Sequence, residues 1–364
     1  GETELRALES SPGVSELGLS GGSSRPDQGD PTSVLYVRGA AADLKLVLLD
    51  GAPVYAPFHL NGLLDAFTDG VLENASLYIG GTPARYDGGL SYVLDLDVRE
   101  ADNESFRTAG RLDLLGVSGR VEGPLGSYGR VLFSGRGLHG AGYPIITESE
   151  SDLPYGYGDL LGRIDSEIGP GKFSATGFWN RESVLLNIGK LEEAGAAETA
   201  YWGNLSGSTR YRIPIGSGAL TFSGAYGKFS TGFPVPRPNT DGPVSFANAL
   251  GQTARSRTEA FYESGDRDLR WAAGAGFDTH ETVLDQRTVF GDTTAHFVGR
   301  ANIGAAWGEV IWDLSPEVEL QAGIRTSFFA PENVVRFSPR ATATWHINES
   351  ADLRISSGRF FQIM

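Results

Sequence analysis

The amino-acid sequence predicts a mainly β protein: a small α+β domain over residues 1–100, followed by an antiparallel transmembrane β-barrel over residues 101–364. Three observations carry that expectation. Beyond about residue 105, side chains alternate with a period of two. The alternating segments outrun the ~5–6 residues usual in soluble strands. The connections between them alternate between short and long, as in barrels with short periplasmic turns and longer external loops.

Composition narrows the class. Glycine supplies 50 of 364 residues without a collagen-like period. The longest apolar runs, such as Leu46–Leu49 and Val184–Ile188, fall far short of the ~20 residues of a membrane helix, which excludes a helical membrane protein. There is no cysteine, so disulfides and thiol chemistry drop out. A net charge of −15 argues against a nucleic-acid partner, since phosphate binding needs clustered Lys and Arg. Gly1 is followed by Glu2 and Glu4, the wrong start for a secretory signal.

Residues 1–100 mix element types. Thr3–Ser10 carries Leu5 and Leu8 at helical spacing, and Ser20–Pro31 is a loop. Ser33–Val37 and Leu44–Leu49 read as short strands, the second closed by the turn pair Asp50-Gly51. Leu60–Phe67 reads as a short helix, and Ala75–Ile79 and Tyr92–Val98 as further strands.

From about Phe106 the pattern is uniform. In Arg336–Ile347, Phe337, Pro339, Ala341, Ala343, Trp345 and Ile347 share one face; Arg336, Ser338, Arg340, Thr342, Thr344 and His346 share the other. Leu220, Phe222, Gly224 and Tyr226 alternate likewise with Thr221, Ser223 and Ala225. Val318, Leu320, Ala322 and Ile324 alternate with Glu319, Gln321, Gly323 and Arg325. Trp179, Tyr201, Trp202, Tyr211, Trp312, Trp345, Phe360 and Phe361 gather near segment ends, as interfacial girdles do. Short connections at Gly123–Gly129, Gly169–Gly171, Gly216–Ser217, Ser264–Asp268, Ser315–Pro316 and Asn348–Ala351 alternate with longer ones. The longer ones are His139–Pro154, Asn187–Ala197, Thr231–Gln252, Asp285–Thr294 and Ala330–Val334. A further turn at Gly116-Val117-Ser118-Gly119 restores the order and gives about thirteen strands. A soluble β-sandwich is the weaker alternative, because sandwiches rarely sustain long strands for ~250 residues.

The first domain holds the specific motifs. Ser11-Pro12-Gly13-Val14 comes first, then Val37-Arg38-Gly39, then Leu49-Asp50-Gly51-Ala52-Pro53-Val54-Tyr55, then His59-Leu60-Asn61-Gly62. The run from Gly80 through Pro83-Ala84-Arg85-Tyr86-Asp87-Gly88-Gly89-Leu90-Ser91-Tyr92-Val93-Leu94 to Asp95 closes the series. In this order and spacing they resemble the plug domain of TonB-dependent outer-membrane receptors, in the branch whose plug ends in a PARYGG-LSSVLDV run. Glu122-Gly123-Pro124-Leu125 resembles the family's first periplasmic turn. Asp87 stands where the family usually has glycine, and Tyr92 where it usually has serine.

The resemblance makes Arg38, Gly39, Asp50, Gly51, Arg85, Tyr86, Gly88 and Gly89 the plug motif, with Arg38 and Arg85 paired to acidic residues of the inner barrel wall. Taken as residues alone, Arg38 and Arg85 read equally as exposed loop arginines, Asp50-Gly51 as a hairpin turn, and the glycines as tight turns. The glycine spacing is not that of a P-loop or dinucleotide loop. Asp95, Asp97 and Glu100 read as one acidic strand face, not a calcium site. His59, His139, His280, His296 and His346 lack ligand spacing, so no metal or other cofactor is expected. No catalytic arrangement stands out, and an enzyme is not expected. Ligand contacts are placed at Tyr55 and His59 in the plug apex and at Glu148, Glu150 and Asp152 in an external loop, where the bland alternative is a solvated charge run.

A size estimate bears on completeness. Thirteen strands ~4.8 Å apart and tilted ~40° close a ring of roughly 26 Å. A domain of ~100 residues is over roughly 30 Å across and does not fit inside. Plugged transporters have about 22 strands, which gives roughly 44 Å. Either the chain is an N-terminal portion or the plug sits outside the barrel; the resemblance implies the first, with about 13 of about 22 strands. Arg354–Met364 stops mid-pattern, without the terminal aromatic residue that the family's last strand usually carries, and no periplasmic energy-coupling box stands before Gly1; both agree with a portion of a longer protein.

The resemblance implies an outer-membrane active transporter, without covalent chemistry, that takes up a scarce nutrient such as a metal chelate, vitamin, glycan or peptide. Its implied partners are a TonB-type periplasmic energy coupler, outer-membrane lipid and a small-molecule or oligomeric ligand. The second reading is a structural barrel that docks a surface lipoprotein or another envelope complex and moves nothing. The third is a soluble sugar-binding sandwich.

Overall fold

Alternation at period two builds strands, and in the computed structural model these strands form one long antiparallel wall. The structure describes residues 14–16, 35–37, 45–59, 64–68, 70–88, 91–112, 116–138, 155–186, 198–237, 245–287, 293–348 and 351–361. Thirteen strands, from Arg107–Leu112 to Ala351–Gly358, each pair with the next in sequence. The longest, Thr293–Ser315, has 23 residues, about twice the ~9–11 that cross a bilayer. Strands of that length outrun a bilayer crossing, whereas Arg107–Leu112 has 6 residues.

The two faces of the wall are unlike. Phe337, Trp345 and Ile347 are exposed on one face, while Ser338, Arg340 and Thr342 between them are buried on the other. Ile324 is exposed beside buried Arg325, Phe222 beside buried Thr221, and Leu205 beside buried Asn204 and Ser206. The apolar face points outward and the polar face inward, the reverse of a soluble sandwich and the arrangement of a wall in lipid. At the short-turn end the outer face carries Trp271, Trp312 and Trp345. There Tyr211 and Tyr262 hydroxyls donate to the Ile168 and Ile215 carbonyls at 2.7 and 3.0 Å. Toward the long-loop end Arg181 lies over the Tyr201 ring at 4.5 Å. These are amphipathic side chains at the two interfaces. Trp202 departs from the expected girdle: it faces inward, buried, stacked on Phe233 at 6.2 Å.

Residues 45–101 form the N-terminal unit. Its four-stranded sheet runs Ala52–Pro53, Lys45–Leu49, Tyr92–Val98, Leu72–Tyr78. Lys45–Leu49 and Tyr92–Val98 are parallel, and the outer two pairings are antiparallel. Val14–Glu16 and Leu35–Val37 pair separately. Val47, Leu49, Val71, Leu94, Leu96 and Val98 make the core, which continues without a break into Leu132, Leu161 and Phe178 of the wall.

Several expectations need correction. The helix expected over Leu60–Phe67 is absent at its described residues: Leu64–Asp65 is a strand paired with Phe58–His59. Tertiary packing overrides local propensity there, because Ala66 and Phe67 are drawn into the core and Phe67 lies 5.0 Å from Phe178. Among the described residues there is no α-helix, so the α part of the α+β expectation is not met; Thr3–Ser10 lies outside them. Gly116–Gly119 is not a turn but the start of the strand Gly116–Pro124, which pairs with Arg107–Leu112. Thr231–Gln252 is mostly strand, since pairing holds from Thr231 to Arg237 and from Ser245 to Gln252. Ala330–Val334 is a tight turn, with Asn333 left-handed at φ 55.

The wall curls around the unit. A flat sheet of thirteen strands would be about 58 Å wide. Yet the one small unit reaches both Glu122, through Arg99 at 2.5 Å, and Ser356, beside Gly81. Among the described residues, the strands Arg107–Leu112 and Ala351–Gly358 each have a sheet neighbour on one side alone.

Candidate functional site

The candidate site is the seam between the unit and the inner face of the wall. It is built from turns on one side and alternate strand positions on the other. At the first turn Asp50 is left-handed (φ 48), followed by Gly51 at φ 85. The turn aims the Asp50 carboxylate at three donors: the Val98 amide at 3.1 Å, Arg163 of the wall at 3.1 Å and the Thr176 hydroxyl at 2.5 Å. Arg163 also binds Asp165 at 2.8 Å. Burial pushes the Asp50 carboxyl above its ordinary value, against the opposing charge of Arg163.

The second turn runs Gly80–Gly88. Arg85 Nε donates to Glu259 at 3.0 Å, and its guanidinium lies over Phe261 at 4.4 Å. Glu259 also accepts from Arg257 at 2.7 Å and from the Trp307 indole at 2.9 Å. Arg257 and Arg325 donate to the Arg85 carbonyl at 3.0 and 3.1 Å, and Arg325 faces Asp87 at 3.4 Å. Arg340 donates to the Thr82 and Pro83 carbonyls, and the Ala84 amide donates to Glu309 at 2.6 Å. The Tyr86 hydroxyl turns back into the unit and donates to Asp95 at 2.5 Å. Burial raises both the Tyr86 phenol and the Asp95 carboxyl. Asp87, the departure from the usual glycine, is thus a partner of Arg325. Gly88 takes φ 81.

Between these turns an arm, Ala52–His59, climbs the wall toward the long-loop side. Ser206 donates to the Pro53 carbonyl at 2.6 Å. The Tyr55 amide donates to Asn204 at 2.8 Å, and Asn180 and Asn204 donate to the Ala56 carbonyl at 3.1 and 3.0 Å. Gly227 is a contact point: a Cβ there would sit 2.2 Å from the Pro53 carbonyl oxygen. The Tyr55 ring lies 6.0 Å from Phe229, half-buried. His59 is 0% exposed, with Asp159 and Glu182 on its two ring nitrogens. Its enclosure leaves it out of reach of a ligand in this state.

Above the arm the inner face is open. Thr231, Gly251, Leu284 and Phe297 form one cross-strand row, in which Leu284 and Phe297 are 55% and 58% exposed. This apolar ledge faces the long-loop side. Arg38, Gly39, Gly89, Glu148, Glu150 and Asp152 lie outside the described residues. The wall partners Asp159, Arg163, Glu182, Asn204, Arg257, Glu259 and Arg325 were not singled out from sequence as contacts of the unit. Their signal was there, as charged and amide residues at alternate positions such as Arg255, Arg257 and Glu259.

No protein-family model matches the chain, and no curated protein matches it. Solved structures do. The ferric enterobactin receptor PfeA from Pseudomonas aeruginosa (a mutant form) superposes with a TM-score of 0.61 at 16% identity, over 90% of this chain and 55% of that one. The siderophore receptor PirA from Acinetobacter baumannii gives 0.60 at 15%, over 86% and 53%. The ferric-catecholate import receptor Fiu from E. coli K12 gives 0.56 at 12%, over 86% and 67%. The chain spans about half the length of PfeA and PirA. With its lipid-facing wall and these likenesses, the chain has the fold of the TonB-dependent outer-membrane receptors, of which it holds a partial barrel.

Proposed function

We propose that residues 45–101 are the plug of a TonB-dependent active transporter, and that the longer protein takes up a scarce nutrient across the outer membrane. One observation carries this reading: beside the apolar cluster it shares with Leu132, Leu161 and Phe178, the unit seats on the wall through charged and amide hydrogen bonds, by Asp50, Arg85, Pro53, Tyr55 and Ala56. Water replaces such bonds as the unit leaves, so each costs about 0.5–1.5 kcal/mol net, or about 1.5–3 kcal/mol where a charged group takes part. The apolar contact with Leu132, Leu161 and Phe178 adds about 25 cal/mol for every Å² exposed. A seam of this chemistry holds the passage shut at rest and yields to a pull.

In the proposed cycle a ligand settles on the apolar ledge and the exposed edge of Tyr55. A TonB-type coupler then pulls on the chain N-terminal to the unit, the seam hydrates, and the ligand passes along the inner face. No bond of the ligand is made or broken. The reading is tested with the full-length protein in cells lacking the inner-membrane motor. Ligand-dependent growth is expected to vanish there; undiminished growth refutes the proposal.

A further inference from the structure

We infer that His59 is a proton-dependent latch: as an imidazolium clamped between Asp159 and Glu182, it fastens the arm Ala52–His59 to the wall and releases it when the proton leaves. The inference deepens the plug reading by naming what regulates seating, and its consequence for transport rests on that reading.

The geometry makes the case. Nδ1 lies 2.7 Å from Glu182 Oε1, and Nε2 lies 2.5 Å from Asp159 Oδ1. All three side chains are nearly closed to solvent, at 0%, 3% and 4% exposure. A neutral imidazole has one N–H and one lone pair. Between two carboxylates its lone pair would meet an oxygen acceptor at hydrogen-bond distance, with no water to intervene. Two protons are needed on the two contacts, and the imidazolium supplies both.

The surroundings fit a charged ring. From the strand Arg130–Leu138, Arg136 binds the second Asp159 oxygen at 3.2 Å and balances the excess negative charge. From Tyr155–Ile168 come Asp159, the Tyr157 ring stacked on His59 at 4.6 Å, and the Tyr155 hydroxyl. That hydroxyl donates to the other oxygen of Glu182, the contribution of Gly171–Leu186, at 2.7 Å. Every partner oxygen is thereby aimed. Beside the clamp, Phe58 packs in the apolar cluster with Leu132, Leu161 and Phe178. The arm is thus held by an apolar pad that ignores pH and a clamp that does not.

The sign follows. Burial alone would lower the His59 value, and the Asp159 and Glu182 hydrogen bonds outweigh it and hold it above the ordinary one. In the released arm the ring titrates near 6.5. The added hold is complete below about 6.5 and disappears as pH rises through the elevated seated value. Within that window, arm protection is expected to fall by up to about tenfold per pH unit, the limit for one proton.

The test uses the purified full-length protein in detergent, without the motor, so it stands or fails independently of uptake. Ring-nitrogen NMR of 15N-histidine protein, with His59 assigned by its loss in His59→Gln, is expected to show both nitrogens protonated at pH 7. Hydrogen exchange of the arm, corrected for intrinsic rate, is expected to show protection that falls with rising pH. Glu182→Gln supplies the decisive arm. Its amide can donate to Nδ1 and still accept from Tyr155, so a neutral His59 suffices; protection is expected to persist and to lose its pH dependence. A singly protonated ring at pH 7, or an unchanged pH profile in Glu182→Gln, overturns the latch.

Discussion

At the residue scale the seam rests on buried groups whose partners sit on the opposite side of it. Asp50 answers three donors, two of them on the wall. Asp50→Ala leaves Arg163 with Asp165 but takes the acceptor from the Val98 amide and the Thr176 hydroxyl, and an unsatisfied buried group costs about 1–3 kcal/mol. Hydrogen exchange of the unit in full-length protein is expected to show that loss. Asp95 has its partner within the unit, the Tyr86 hydroxyl. Its carboxyl is raised by burial, so the seated unit prefers the proton, and its stability contribution falls as pH climbs from near 3.8 through the raised value. Asp95→Asn keeps an acceptor for Tyr86 and is expected to match or exceed the native stability at pH 7, with a flatter acid profile. Gly227→Ala places a Cβ 2.2 Å from the Pro53 carbonyl; overpacking of this kind costs about 1–3 kcal/mol. The unit side of these contacts was legible through the motifs that carry Asp50 and Arg85 and their resemblance to a plug. The wall side was not. The carboxylates that clamp His59 lie 100 and 123 positions downstream, and no local pattern links residues so far apart.

At the element scale, legibility followed periodicity. Arg336–Ile347 was resolved into its two faces from sequence because a strand in lipid repeats every second residue and every residue commits to one side. Leu60–Phe67 was misread because a short apolar stretch suits helix and strand alike, and the contact of Phe67 with Phe178 decides between them. Trp202 was misplaced for a related reason. An aromatic near a strand end suits a girdle, but its parity with Asn204 and Ser206 turns it inward. The outer face gives the element's own test. Leu160, Trp179 and Leu205 form one cross-strand row on that face. Leu205→Arg puts a charge into the apolar band and is expected to destabilise the wall by about 2–4 kcal/mol if the row lies at mid-membrane. Urea titration of the protein folded into vesicles measures it.

At the scale of the whole molecule, a simple size argument anticipated the open wall: about thirteen strands cannot close around a domain of ~100 residues. Among the described residues the wall is a curl whose first and last strands each have one sheet neighbour. In the proposed cycle the unit moves against this wall. A tether tests it directly. Ala84 lies with its Cβ 2.8 Å from where a Cβ on Gly323 would stand. A relaxation of about 1 Å brings that pair to the ~3.8 Å of a disulfide, and the chain has no cysteine of its own to interfere. In full-length protein carrying Ala84→Cys and Gly323→Cys, uptake is expected to stop when the disulfide forms and to return on reduction, with both single variants active throughout. Undiminished uptake with the tether closed would contradict the account.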